Sequence, residues 1–232
     1  MENIYNKFWD EGYIIFENFF DDQLMDAYNS KILKHFGLNP KWEHSEEFIS
    51  KSSAEVIPWF PYRDDNGGFD EIDKDEKFND ITDTLLTKGW DNLYCMMMFS
   101  KAGSKGQAWH QDCIPDDPLK FNLNRLVYTH DINDETGGAI VIMPKAHKAG
   151  ILPVGNPHED LEGQVLYKPK KGTVIFLHGH CFHRVLPATS IRISSNFRVV
   201  PKGTPEDITD ICVYRNMKYK FSTSEIIEER FH

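Results

Sequence analysis

The sequence predicts a mainly β fold, a sandwich or jelly roll, with helices laid over one of its sheets. Two observations carry this. From residue 91 onward, short runs rich in Val, Ile, Tyr and Phe are separated by Gly, Pro, Asn and Asp: LYCMMMFS, QAWHQD, NRLVYTHDI, GAIVIMP, GTVIFLH, CFHRVL and IRISSNFRVV. Strands of this length punctuated by turn residues build stacked antiparallel sheets. Before residue 90 the pattern is instead partly helical. Asp21 is placed to cap a helix carrying Leu24, Tyr28, Ile32 and Phe36 on one side, with Gly37 and Pro40 to end it. A second helix carries Phe78, Ile81, Leu85 and Leu86 and stops at Gly89. Between them, DDNGGFDEIDKDE (residues 64–76) reads as an acidic surface loop and is a candidate lid. It lacks the spacing and closing Glu of a calcium loop. The expected organisation is one domain over residues 1–232: a helical N-terminal region over residues 1–90, a jelly-roll core over residues 91–202, and an extension over residues 203–232 packed on the core or at a subunit contact.

Composition narrows the function classes. With 232 residues the chain is long enough for a sizeable core, and 40% hydrophobic with 27% charged residues is a globular composition. The 26 Lys and Arg against 36 Asp and Glu leave a net charge of −10, which argues against a nucleic-acid or anionic-membrane binder. No apolar run approaches the roughly 18 residues of a membrane span. The opening MENIYNKFWDEGYIIF lacks a basic start, an apolar block and a cleavage site. Cys95, Cys113, Cys181 and Cys212 are scattered, so free thiols in a reducing, cytoplasmic setting are expected.

The chemistry concentrates in two segments. In AWHQDC, His110 and Asp112 lie two apart, so on a strand they point to one side and Gln111 to the other. An imidazole and a carboxylate converging on one point, plus one remote histidine, make the facial donor set of mononuclear iron(II), which leaves positions open for a co-substrate and oxygen. FLHGHCFHRVLP offers His178, His180 and His183 as the remote donor. His178 and His180 share a parity, whereas His183 joins them only if Gly179 breaks the alternation, so spacing alone leaves all three open. Downstream, Arg192 and Ser194 face one way, a guanidinium fork beside a hydroxyl that suits a carboxylate end group such as that of 2-oxoglutarate. Arg198 shares their parity, as a second anchor candidate or a substrate contact.

Together these segments resemble the phytanoyl-CoA dioxygenase family of iron(II)/2-oxoglutarate oxygenases. The likeness rests on FWDEGYIIFENFFDDQLMDAY, AWHQD, TGGAIVIMPKAHKAG and GTVIFLHGHCFHRVLPATSIRISSNFRV, in that order. It implies a double-stranded β-helix (jelly roll, cupin-like) core packed against N-terminal helices. It implies iron(II) held by His110, Asp112 and His183, with 2-oxoglutarate and oxygen as co-substrates. It implies Arg192, accompanied by Ser194, as the co-substrate anchor, although nine residues from His183 is slightly short for the family. Lys145-Ala146 replaces the usual Gly-Ser before His147, whose expected role is structural. With a carboxylate at Asp112, hydroxylation of an unactivated C–H bond is implied rather than halogenation. A small-molecule substrate is expected, with Trp109, Arg125 and Arg198 as candidate contacts; no nucleic-acid or membrane partner is expected, and the oligomeric state is open. Two rival readings stand beside this: a non-catalytic jelly-roll protein that binds a small ligand, and a zinc hydrolase using His178, His180 and His183. The second resembles the H-x-H-x-D-H run of metallo-β-lactamase-type enzymes, but Phe182 stands where the aspartate would be.

Overall fold

The computed structural model describes residues 2–37, 40, 45–63 and 68–231. In chain order its elements are α1 (Glu2–Glu11), β1 (Tyr13–Phe16), α2 (Asp22–Phe36), α3 (Glu46–Ser52), β2 (Ile57–Trp59), α4 (Asp70–Asp73) and α5 (Glu76–Leu85). Then follow β3 (Trp90–Ser100), β4 (Gln107–Gln111), β5 (Leu123–Val127), β6 (Ile140–Ile142), β7 (Val165–Tyr167), β8 (Val174–His178), β9 (His183–Val185) and β10 (Arg192–Pro201). The chain closes with β11 (Ile211–Tyr214), β12 (Met217–Lys220) and β13 (Glu225–Glu229). Among the described residues these strands form two antiparallel sheets, one ordered β1-β8-β5-β10-β3-β2 and the other β13-β12-β11-β4-β9-β6-β7. Successive strands cross between the sheets, which is the jelly-roll arrangement.

The helices form where capping and periodicity place them. The Asp21 carboxylate accepts the Leu24 N–H at 2.9 Å to start α2, and Gly37 at φ 64° ends it, donating its N–H to the Leu33 carbonyl. Tyr28, Ile32 and Phe36 are buried from α2, and Phe78, Ile81 and Leu85 from α5. They pack on the outer face of the six-stranded sheet, against Phe176 of β8 and Ile193, Phe197 and Val199 of β10. Strand alternation then sends Arg192, Ser194, Asn196 and Arg198 of β10, and Asn124 and Leu126 of β5, into the space between the sheets. The inner face of the six-stranded sheet is therefore unusually polar at one end, and this marks the site.

Residues 203–232, expected as an extension packed on the core, join it as strands: β11 pairs with β4 and brings β12 and β13 with it, so the C-terminal segment completes the seven-stranded sheet. The segment before residue 91, expected as helical, also contributes β1 and β2 to the six-stranded sheet. The acidic 64–76 segment, read as a candidate lid, is described only in part. Residues 64–67 lie outside the described residues, and the remainder is anchored: Phe69 and Ile72 are buried, Glu71 accepts the Tyr28 hydroxyl at 2.8 Å, and Asp73 pairs with Arg125 at 3.2 Å.

Arg125 itself faces the helix layer, not the space between the sheets. It is fully buried, donates to the Phe197 carbonyl at 2.7 Å and to Asn79 Oδ1 at 2.9 Å, and lies over the Phe78 ring at 4.5 Å. Its alternation parity on β5 points it outward, so it is no substrate contact but the buried cation that ties α4 and α5 to the sheet. We expect Arg125→Leu to lower stability by about 3 kcal/mol, because removing one partner of a buried ion pair strands the other. Urea unfolding measures this, and a loss below about 1 kcal/mol would contradict the tie.

Candidate active site

The site is built where β4 and β9 lie side by side in the seven-stranded sheet. The antiparallel register sets His110 directly opposite His183, and the two imidazole centroids are 4.0 Å apart. Asp112 follows just past the end of β4, in a bend whose N–H donates to the Gly179 carbonyl at 2.8 Å. Gly179 is required there by close approach: a Cβ at this position would sit 2.1 Å from Asn122 Oδ1 and 2.8 Å from the Asn122 carbonyl oxygen. The Asp112 carboxylate then reaches both imidazoles, with Oδ1 3.8 Å from His110 Nε2 and Oδ2 3.5 Å from His183 Nε2.

Each imidazole is turned to present its Nε2. His110 Nδ1 lies 2.9 Å from the Ala108 carbonyl oxygen and His183 Nδ1 lies 3.0 Å from that of Cys181. A carbonyl oxygen only accepts, so Nδ1 carries the proton in both rings and a neutral ring has its lone pair on Nε2. Burial lowers the His110 pKa to about 3, helped by His183 and opposed by Asp112, so this ring is neutral. For Asp112, burial raises the pKa, but Arg198, the two imidazoles and Asn124 outweigh it and hold the carboxyl at about 2. Two imidazole nitrogens and one carboxylate oxygen lie within 4.8 Å of one another, the one such cluster of three among the described residues. Donors about 2.1 Å from a common ion stand roughly 3.0–3.5 Å apart, so the set fits a divalent metal with little adjustment.

Of the other predicted site residues, Arg192 and Ser194 do lie together. Arg192 donates to Ser194 Oγ at 3.1 Å, to the Gly138 carbonyl at 2.8 Å and to the Tyr128 hydroxyl at 3.5 Å. Gly138, at φ 74°, lets the arginine lie flat on the backbone; a Cβ there would meet Arg192 Cδ at 2.5 Å. Arg198 sits instead at the triad, 3.3 Å from Asp112 Oδ1. Trp109 is not in the site. It points to the opposite face of β4, donates its indole N–H to the Glu159 carbonyl at 2.9 Å and packs under Arg184. The zinc arrangement does not form either, because the turn after β8 separates its histidines. His178 stacks on Phe121 at 3.7 Å beside Trp9, while His183 begins a strand in the other sheet. His147 clasps α1, its Nε2 lying 3.2 Å from the Trp9 carbonyl oxygen, and Lys145 takes the left-handed φ of 65° that a glycine would otherwise supply.

Sequence reasoning missed Asn124 and Tyr214, and the link between Tyr94 and Arg198. Asn124 donates to Asp112 Oδ2 at 2.7 Å, Tyr94 accepts from Arg198 at 2.7 Å, and Tyr214 stacks on His110 with centroids 5.2 Å apart. The signal for Asn124 was present: an amide on the same parity as Leu126, inside a run otherwise made of core residues.

A jelly roll holding a two-histidine, one-carboxylate donor set between its sheets defines the class of mononuclear non-heme metal oxygenases. The chain belongs to the phytanoyl-CoA dioxygenase (PhyH) family, whose family model matches residues 8–193. Among curated proteins none matches in sequence. The fold is similar to that of HygX from Streptomyces hygroscopicus with nickel and 2-oxoglutarate bound, at 13% identity over 89% of each chain and a TM-score of 0.68. It is also similar to the non-heme alpha-ketoglutarate-dependent epimerase SnoN from nogalamycin biosynthesis, at 15% identity over 92% of this chain and 85% of that one, TM-score 0.65. The carbocyclase SnoK of the same biosynthesis gives 14% identity over 93% and 86%, TM-score 0.66. No helix among the described residues is long and apolar enough to cross a membrane.

The buried histidines also set an acid limit. His110 is lowered to about 3, and burial lowers His130 and His180 to about 4. Unfolded imidazoles take up protons near 6.5. Between about pH 6.5 and about pH 4 the unfolded chain therefore binds more protons than the folded one, and stability falls as pH falls. We expect the melting temperature of the metal-free protein to drop progressively through that window; a flat profile would contradict the burial of these rings.

Proposed function

We propose that this protein is an iron(II)- and 2-oxoglutarate-dependent oxygenase that hydroxylates an unactivated C–H bond of a small molecule. The observation that carries the reading is the triad: two imidazoles with Nδ1 tied to carbonyls and Nε2 directed at an ionised Asp112. His110, Asp112 and His183 would hold iron(II), which with 2-oxoglutarate as the co-reductant would activate oxygen, the oxidant for C–H cleavage. The rest of the work belongs to the chain. Arg192 and Ser194 receive the far carboxylate of the keto acid, in a buried place where a charge-assisted fork is strong and orienting. The Tyr128 hydroxyl is within reach of the same fork. Apolar side chains between the sheets, among them Leu126, Ile140 and Ile142, exclude water from the reacting region.

The Asp112 carboxylate supports hydroxylation over halogen transfer, since it occupies the place a halide would need. The intact donor set argues against a purely ligand-binding jelly roll, which has no use for two tautomer-locked imidazoles around an acid.

Anaerobic addition of iron(II) and 2-oxoglutarate should produce a weak visible charge-transfer band. We expect His183→Ala to abolish the band. Arg192→Met should weaken 2-oxoglutarate binding roughly 10- to 100-fold, since a hydrogen bond to a charged group contributes about 1.5–3 kcal/mol. No band in the wild-type protein would remove the oxygenase reading. Succinate release across a substrate panel, followed by mass spectrometry for one added oxygen atom, then tests hydroxylation against other outcomes.

A further inference from the structure

We infer that Arg198 is a positioning residue that presets the Asp112 carboxylate for metal binding, and that it does not share the co-substrate with Arg192. The inference rests on the oxygenase reading above.

Asp112 needs such a device. It stands beyond the last residue of β4, in a bend, so the sheet ladder does not fix it beyond its one N–H bond to Gly179. Its two oxygens are instead held by different donors: Oδ1 by Arg198 at 3.3 Å and Oδ2 by Asn124 Nδ2 at 2.7 Å. Those donors are locked to each other. Asn124 Oδ1 accepts from Arg198 Nε at 2.9 Å and from Asn196 Nδ2 at 2.7 Å. A guanidinium cannot accept, so the Asn124 amide has one orientation, and its N–H group must face Asp112. The remaining Arg198 nitrogen donates to the Tyr94 hydroxyl at 2.7 Å, which fixes the plane of the guanidinium. Three strands (β3, β5 and β10) thus converge on one carboxylate.

Arg192 and Arg198 share a face of β10, but six residues of extended strand separate them by roughly 20 Å of backbone. Among the described residues Arg192 has only neutral partners, Gly138, Ser194 and Tyr128, and so holds its charge for an anionic ligand. Arg198 has its anion already. A rival view makes Arg198 only a counter-charge to Asp112. The two views differ in sign: a mere counter-charge repels a dication, so its removal tightens metal binding, whereas loss of a positioning residue loosens it.

The test is calorimetric titration of the metal-free full chain with Ni(II), without 2-oxoglutarate. We expect Arg198→Gln to weaken Ni(II) binding roughly 10- to 100-fold, the usual cost of removing a group that orients a metal ligand. Arg198→Lys should recover some of this, since an ammonium can hold Asp112 but cannot also orient Asn124 and meet Tyr94. Arg192→Met should leave Ni(II) affinity within about threefold while weakening 2-oxoglutarate binding to the Ni(II)-loaded protein, as the charged anchor predicts. Ni(II) affinity equal to or tighter than wild type in Arg198→Gln overturns the inference. If that variant does not fold, Asn124→Ala tests the other side of the same clamp, and unchanged Ni(II) affinity there overturns it equally. Absence of Ni(II) binding in the wild-type protein would instead defeat the oxygenase reading.

Discussion

The pairing of β4 with β9 is the constraint on which the site depends. An antiparallel ladder sets one residue of each strand directly opposite the other, with side chains about 5 Å apart on one face. Here the opposed residues are His110 and His183. Two imidazoles in that relation have their Nε2 atoms near a common point once each Nδ1 is tied back to the carbonyl two residues before it. No loop could hold two rings this way without fixing its own backbone first. The neighbour on the other side of β4 reinforces the arrangement, since β11 lays Tyr214 against the His110 ring. The C-terminal segment thereby forms one wall of the site.

Electrostatics then decide what this geometry can hold. Asp112, Arg192 and Arg198 are charges drawn into the space between the sheets, and each is stable there only through specific partners. Desolvation pushes the Asp112 pKa up; Arg198 foremost, with the imidazoles and Asn124, outweighs it. The His110 imidazole follows the opposite course and remains neutral, because burial disfavours its charged form. A divalent ion entering this set would meet an anionic carboxylate and a neutral His110, and would need no proton displaced from His110 to bind.

Much of this was legible in the sequence, and the limits have physical causes. Period-two patterning exposed the strands from residue 91 onward, and the Asp21 cap and the Phe78, Ile81, Leu85 face exposed two helices. It was silent at residues 203–232, where β12 alternates but is only four residues long and β13, at the sheet edge, keeps its side chains largely exposed. The HxD pair could be read because both residues sit at one strand end. The remote histidine could not be chosen by parity, because His178 and His183 belong to different sheets and the turn through Gly179 carries no alternation across. The family resemblance selected His183 where spacing was silent.

Arginine shows the same limit most sharply. Arg125, Arg192 and Arg198 are all strand residues, all buried, and identical as residue types. Parity on the strand separates the first from the other two: Arg125 faces outward to Asp73 of α4, while the β10 pair faces inward. Parity cannot separate Arg192 from Arg198, since an even spacing puts both on one face. What separates them is the partner that distant chain brings opposite each: the backbone of Gly138 and the Tyr128 hydroxyl for one, the Asp112 carboxylate and Tyr94 for the other. A buried guanidinium has no role of its own: the fold assigns its work through the groups it brings opposite the charge.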